Sequence, residues 1–138
     1  MQIEGGCYCG AVRYRVEGEA VFRVQCHCRE CQYISGGGPN LTLGMPEAGF
    51  RYTRGEPRAF RRADLPTPVC REFCPECGTH LVSRAPGLPG VALLKVGTLD
   101  DPAVFGGPEL ATFTVDKQAF HHVPEGLPSF ERVPGRGA

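Results

Sequence analysis

Apolar and polar residues alternate along short segments of the chain, and glycine and proline separate these segments. Over residues 11–16, Val12, Tyr14 and Val16 fall on one side and two arginines fall on the other. This two-residue period is typical of a half-buried strand. A second alternating segment, 21–25, runs directly into Cys26. Further strands are predicted over 41–43, 50–52, 58–62, 69–73, 79–83, 91–96 and 111–115.

Helical signals are short. One helical turn is predicted over 29–34, stopped by the glycine-rich segment 35–39. A short capped helix is predicted over 100–105, because an acidic residue precedes a proline at its first turn. Segment 91–96 is the most apolar strand and is expected at the centre of a sheet. The two strands around residues 74–78 are expected to form a hairpin, so the sequence predicts a mainly β fold.

Seven of the eight cysteines fall into three close groups. Steps of Cys-x-Cys and Cys-x-x-Cys are more typical of metal sites than of structural disulfides. Residues 1–6 lack the basic start and apolar stretch of a signal peptide, so we expect a cytoplasmic protein with reduced thiols. Metal binding is therefore favoured. The groups are Cys7 with Cys9, Cys26 with Cys28 and Cys31, and Cys74 with Cys77.

The count of cysteines favours one site of four ligands and one of three. The two pairs form the four-cysteine cluster, and Cys26, Cys28 and Cys31 form the three-cysteine cluster. Structural zinc usually has four protein ligands, whereas reactive zinc keeps one position for water or substrate. Spacing alone leaves two alternatives open. The three-cysteine cluster could borrow a cysteine from a pair, or a histidine or Cys70 could close it as a second structural site.

Two residues next to these groups have other interpretations. In an extended Cys-x-Cys step, His27 points away from the side that its neighbours share, so it is a weak fourth ligand. Cys70 is interpreted first as a small buried apolar residue.

Size and charge limit the possible partners. The 138 residues fit one domain, predicted over 1–133, with a disordered tail at 134–138. Fifteen basic and fifteen acidic residues give zero net charge, which removes general attraction to nucleic acid or anionic membranes. The longest apolar run is too short to span a bilayer. We therefore expect neither a nucleic-acid nor a membrane partner, although Arg58, Arg61 and Arg62 form a local basic patch. The oligomeric state stays open.

These motifs together resemble the glutathione-dependent formaldehyde-activating enzyme (GFA) family, which includes centromere protein V. The resemblance covers most of the chain. It rests on residues 6–10 (Gly-Cys-Tyr-Cys-Gly), on 26–31 followed by Ser-Gly, on 73–79, and on 96–100 (Val-Gly-Thr-Leu-Asp). One departure concerns a Pro-Trp pair that members often carry near the C-terminus. Here the matching region is 118–120 (Gln-Ala-Phe), and the chain has no tryptophan.

The resemblance implies an Mss4-like fold of short antiparallel sheets with zinc knuckles. It implies two zinc ions and a carbon–sulfur lyase activity of the S-(hydroxymethyl)glutathione synthase type. A thiol, glutathione in the named enzyme, would be carried at the three-cysteine zinc and added to formaldehyde or a related electrophile. The implied ligands are Cys7, Cys9, Cys74 and Cys77 for a structural zinc, and Cys26, Cys28 and Cys31 for the site zinc.

No residue is assigned as a proton donor or acceptor from the sequence. Histidine titrates in a suitable range, but each histidine is more often structural or exposed. The candidates are His27, His80, His121 and His122. Arg29, Arg71 and the amides of residues 35–38 could bind the carboxylates of glutathione, or be solvated surface.

Two other classes of protein share some of these sequence features. A non-catalytic, zinc-stabilised protein-interaction module is the alternative, and it would have only closed zinc sites. A B-type methionine sulfoxide reductase is excluded because it needs a late catalytic cysteine, and none follows Cys77.

Overall fold

The computed structural model describes residues 1–134 and confirms the predicted mainly β fold. One α-helix, α1 (Arg29–Ser35), occurs in this range. Short 3-10 helices span Glu47–Gly49, Val96–Thr98, Pro102–Phe105 and Thr114–Asp116. The strands are β1 (Gln2–Gly6), β2 (Arg13–Glu17), β3 (Phe22–Cys26), β4 (Asn40–Pro46), β5 (Phe50–Arg54), β6 (Arg58–Phe60), β7 (Cys70–Phe73), β8 (His80–Arg84), β9 (Val91–Lys95) and β10 (Leu110–Thr112).

The strands form two sheets. Seven of them make one sheet in the order β10-β3-β4-β9-β8-β7-β6, and β1-β2-β5 make the other. All strand pairs are antiparallel except β10 with β3, which is parallel. The apolar strand β9 lies in the middle of the larger sheet, as its composition predicted. The predicted hairpin is also present, with β7 and β8 paired around the turn that holds Cys74 and Cys77.

One hydrophobic core joins the two sheets. Tyr14 and Val16 of β2 are buried in it together with Leu43 and Met45 of β4 and Leu94 of β9. Each pair is two residues apart because alternate side chains of a strand point to the same face. The opposite face of the larger sheet is therefore free to carry polar groups and to face α1.

Strand β1 was not predicted, because its glycines and charged Glu4 break the alternation. Pairing with β2 stabilises this strand although its local sequence does not favour one. Ile3 lies opposite Val16 on β2 and is buried. The last predicted strand, 111–115, is too long by three residues. It ends at Thr112, because Phe113 has a left-handed backbone with φ of 55° and a 3-10 helix follows.

The capped helix predicted near residue 100 is a 3-10 helix that begins at Pro102. The side chain of Asp101 accepts a hydrogen bond of 3.1 Å from the backbone N–H of Ala103, as expected of an N-cap. The predicted tail lies outside the described residues except for Pro134. Within residues 1–134, no helix has the length and apolar character needed to cross a membrane.

Candidate metal centres

The fold brings the two cysteine pairs of the four-cysteine cluster together from distant parts of the chain. Cys9 Sγ lies 3.6 Å from Cys7 Sγ and 3.8 Å from Cys74 Sγ. All four sulfurs, including that of Cys77, lie within 4.8 Å of one another. A tetrahedral zinc ion with Zn–S bonds of about 2.3 Å places its sulfurs about 3.8 Å apart. The spacing of this cluster therefore fits such an ion.

Both cysteine pairs lie in tight turns that point backbone N–H groups at sulfur. Val12 N–H donates to Cys7 Sγ at 3.2 Å, while Cys7 N–H donates to the Val12 carbonyl at 3.0 Å. In the second turn, Gly78 N–H donates to the Cys74 carbonyl at 2.9 Å. Gly10 and Gly78 have φ values of +83° and +78°, a backbone conformation that favours glycine. These glycines let the chain reverse directly after each cysteine pair.

The three-cysteine cluster lies where β3 ends and α1 begins. Cys26 is the last residue of β3, and Cys28 is the N-cap of α1. Cys28 Sγ accepts a hydrogen bond of 3.3 Å from the backbone N–H of Cys31. From the neighbouring β4, Asn40 Nδ2 donates to Cys31 Sγ at 3.8 Å. The three sulfurs lie within 4.8 Å of one another.

The three thiols cannot all ionise easily in this arrangement. The hydrogen bond from Cys28, helped by Cys31, lowers the pKa of Cys26. The interaction with Cys26 in turn raises the pKa of Cys28 and of Cys31. Like charges this close disfavour each other, so a cation is needed before all three sulfurs become thiolates. The cluster is therefore suited to a divalent metal ion.

His27 faces away from the three sulfurs, although it lies between two of them in sequence. Its ring is fully buried, and its Nδ1 is 2.9 Å from Nδ1 of His121. Its Nε2 is 3.0 Å from the side-chain amide of Gln25. His121 Nε2 is 2.7 Å from the carbonyl oxygen of Gly37. Cys70 is also buried, and it lies outside both clusters.

A buried amide network fixes the C-terminal segment beside the three-cysteine cluster. The side-chain amide of Gln32 donates to the carbonyl oxygens of His27 at 2.8 Å and of Asp116 at 3.0 Å. The amide of Gln25 donates to the carbonyl of His122 at 2.8 Å. Neither glutamine is predicted from the sequence, because the segments that they join lie far apart in the chain.

Arg29 and Arg71, the two arginines suggested by the sequence, already have partners. Arg29 donates to Gln32 Oε1 at 2.6 Å and lies over the ring of Tyr33. Arg71 on β7 forms an ion pair of 2.5 Å with Glu30 on α1. This pair joins the helix to the β7 end of the sheet. Ser35 donates to the carbonyl of Gly38, so the glycine-rich turn closes on itself.

Lys95 is a further residue that the sequence analysis missed. It ends β9 opposite Thr42 of β4, on the sheet face that also carries Asn40, and it is buried. Burial lowers the pKa of Lys95 to about 8, while the charge on Cys31 acts to raise it. The sequence does contain one signal for it, since Lys95 is the single charged residue in the most apolar segment of the chain, 91–96.

A cavity of about 640 Å³ lies between α1 and the β6, β7 and β8 end of the larger sheet. Glu30, Tyr33 and Ile34 of α1 line one side, and Arg71 and His80 line the other. Nδ1 of His80 is buried and has no hydrogen-bond partner within the described part of the chain. Burial lowers the pKa of His80, and the nearby positive charges of Lys95 and Arg71 lower it further.

These features define a mainly β protein with two cysteine clusters that could each hold a metal ion. A family model for the glutathione-dependent formaldehyde-activating enzyme (GFA) matches residues 2–116. The chain therefore belongs to this family, as the cysteine motifs predicted.

Similarity to individual proteins is found in both sequence and structure. A Halomonas elongata protein provisionally named as a glutathione-dependent formaldehyde-activating enzyme is 33% identical over 86 residues. The match covers 59% of this chain and 55% of that protein, so the chain spans about half the length of this curated relative. A crystal structure of a Rhodobacter sphaeroides protein superposes with a TM-score of 0.62 at 20% identity. It covers 77% of this chain and 97% of that one, and it shows the shared fold.

Proposed function

We propose that the protein is a zinc-dependent enzyme of the carbon–sulfur lyase type. It adds a thiol, glutathione or a similar one, to formaldehyde or a related small aldehyde. One zinc ion at the three-cysteine cluster serves the reaction, and a second at the four-cysteine cluster is structural. The observation that carries this proposal is that, among residues 1–134, three sulfurs and no fourth ligand converge at the end of β3, while His27 turns away. The reducing, cytoplasmic setting expected from the sequence stays a prediction.

The reaction needs no oxidant and no leaving group. A bond forms between the thiol sulfur and the carbonyl carbon, the carbonyl π bond opens, and the thiol proton ends on the oxygen. When bound, zinc would lower the pKa of the incoming thiol and hold its sulfur in place. The cysteines themselves supply the negative charge that keeps the ion, and their own backbone and side-chain hydrogen bonds fix the sulfur positions.

Lys95 suits a site rich in thiolates. Three thiolates already exceed the charge of a divalent ion by one, and a fourth would raise the excess to two. A buried lysine on the same face of the sheet offsets this excess. Its presence there supports a thiolate as the incoming group.

The residues around the three-cysteine cluster support a thiol as substrate more strongly than they support glutathione in particular. Its carboxylates would have to compete with Glu30 for Arg71, since that ion pair is already formed. The proposal therefore keeps the thiol class open to molecules similar to glutathione.

The test compares two cysteine variants of the zinc-loaded protein. Exchange between formaldehyde, glutathione and their adduct is followed by NMR exchange spectroscopy against the uncatalysed rate. We expect Cys28→Ala to fold, to contain one zinc fewer, and to lose the rate enhancement. Cys70→Ala is the matched control. It should keep its two zinc ions and its activity, because Cys70 lies outside both clusters.

Two results would contradict the proposal. A Cys28→Ala protein with the exchange rate of the wild type would show that the three-cysteine cluster does not take part. A Cys28→Ala protein that cannot fold, beside a folded Cys70→Ala protein, would show that the cluster is structural. The second result would favour the non-catalytic interaction module.

A further inference from the structure

The cavity between α1 and strands β6 to β8 is much larger than formaldehyde requires. Its volume of about 640 Å³ is within the range that holds drug-sized ligands, whereas formaldehyde has two heavy atoms. Glu30 lines it and lies between Cys28 and Cys31 in sequence, so the cavity reaches the segment that carries the three-cysteine cluster. The cavity can therefore hold a group that is attached to a reacting aldehyde.

The walls of the cavity are mainly apolar. Tyr33 and Ile34 come from α1, and further side chains come from β6, β7 and the loop between them. Tyr33 and Phe60 are 80% and 55% exposed, so aromatic surface reaches solvent at the mouth. Exposed apolar surface next to a cavity is typical of a ligand site. The other apolar wall residues are Leu65, Val69 and Phe73.

The charged groups of the cavity do not favour a polyanionic ligand. Arg71 forms an ion pair with Glu30 at 2.5 Å, and Arg62 forms one with Asp64 at 2.6 Å. Both arginines are thus neutralised by carboxylates of the chain. The walls are better matched to an uncharged carbon skeleton than to the two carboxylates of glutathione.

One polar group remains for the carbonyl oxygen of such a ligand. His80 lines the cavity, and its buried Nδ1 has no hydrogen-bond partner among the described residues. A buried nitrogen without a partner costs free energy that a ligand can recover. An imidazole N–H at this position would donate to the aldehyde oxygen and stabilise the negative charge that develops there during thiol addition.

We propose that this cavity binds the electrophile, and that the electrophile is an aldehyde with an apolar aryl or alkyl substituent. The substituent lies along Tyr33, Ile34 and Phe73, and the carbonyl oxygen accepts a hydrogen bond from His80. This inference rests on the proposed thiol addition and specifies its second substrate. The reaction balances as before, because the thiol proton is transferred to the aldehyde oxygen.

The first experiment measures kcat/KM for thiol addition with formaldehyde, hexanal and phenylacetaldehyde at fixed glutathione. We expect the two larger aldehydes to exceed formaldehyde by about tenfold or more, since each apolar group in a fitting pocket is worth at least that factor. Binding of benzamide, an unreactive aryl carbonyl compound, is measured in parallel by NMR on the zinc-loaded protein. Benzamide should shift resonances of α1 and β8.

Variants locate the effect in the cavity. Leu65→Ser should lower kcat/KM for phenylacetaldehyde by about tenfold and leave formaldehyde unchanged. Leu88→Ser is the matched control, because Leu88 is 40% exposed in a turn outside the cavity, and it should change neither. His80→Ala should lower kcat for every aldehyde, and His80→Asn, which keeps a donor near the position of Nδ1, should restore part of it.

The outcomes separate this inference from the proposed function. Turnover of formaldehyde together with a lack of benzamide binding and no preference for larger aldehydes overturns the inference and leaves thiol addition intact. A lack of turnover with every aldehyde overturns both. Equal losses in Leu65→Ser and Leu88→Ser would also overturn the inference, because the effect would then not come from the cavity.

Discussion

The replacement Cys74→Ala tests whether the four-cysteine cluster holds the fold together. Cys74 is fully buried, and its sulfur lies 3.8 Å from that of Cys9, which is 65 residues away in sequence. It also accepts hydrogen bonds from the N–H groups of Glu76 at 3.3 Å and Cys77 at 3.4 Å. The replacement removes a proposed zinc ligand and these two acceptor interactions together.

The expected loss of stability is large compared with the whole stability of such a protein. A structural zinc of this type contributes about 10 kcal/mol or more to folding. The net free energy of unfolding of a typical domain is roughly 5–15 kcal/mol. Loss of one of four sulfurs should therefore leave no cooperatively folded state at 25 °C, even with excess zinc.

The matched control is Cys70→Ala in the same hairpin. Cys70 is 7% exposed but lies outside both clusters, so its replacement removes only one buried sulfur. Removing this sulfur is similar to removing one buried methylene group, which lowers the free energy of unfolding by about 1 kcal/mol. Both proteins are heated in zinc-containing buffer and followed by circular dichroism. Cys70→Ala should melt a few degrees below the wild type, and Cys74→Ala should show no transition. Two similar cooperative transitions would refute the structural role of the cluster.

Two further predictions concern stability. Gly5→Ala should destabilise the protein by about 1–3 kcal/mol, because the new Cβ would collide with the Thr98 carbonyl oxygen and the Tyr14 hydroxyl. Gly97→Ala is the control and should cost little, since its Cβ would meet open space. Denaturant titration measures both changes in the free energy of unfolding. Burial raises the pKa of Tyr14 to about 12, so the unfolded state loses this proton first as the pH rises above 10. The contribution of Tyr14 to stability therefore falls by about 1.4 kcal/mol per pH unit between pH 10 and 12. Tyr14→Phe should have a shallower decline over this range, and equal slopes would contradict the assignment.

Sequence was most informative where the chemistry is local. The three sulfurs of residues 26–31 come together because a strand end and one helical turn suffice, and the motif contains both. The hairpin around Cys74 and the central position of β9 also follow from short apolar segments between turn residues. The resemblance to the family rests on the same motifs, because three cysteine groups in this order and spacing are a specific signal.

Sequence was least informative where long-range pairing decides. The cavity needs α1 to lie against the far end of the sheet, and the ion pair of Arg71 with Glu30 joins residues 41 apart. The orientation of His80 depends on a register shift in the β7–β8 pairing between Glu72 and Phe73. Lys95 lies on the sheet face that carries Asn40 only because β9 pairs with β4. No local pattern specifies these contacts.

The central claim is that the three-cysteine cluster leaves a coordination position that an external thiol fills. Cobalt-substituted protein, with metal content measured per chain, tests it by titration with glutathione and with S-methylglutathione as the blocked control. We expect two ions per chain and a shift of the thiolate-to-metal absorption bands of one site with glutathione alone. Spectra unchanged at millimolar glutathione, or shifted equally by the blocked thiol, would contradict it.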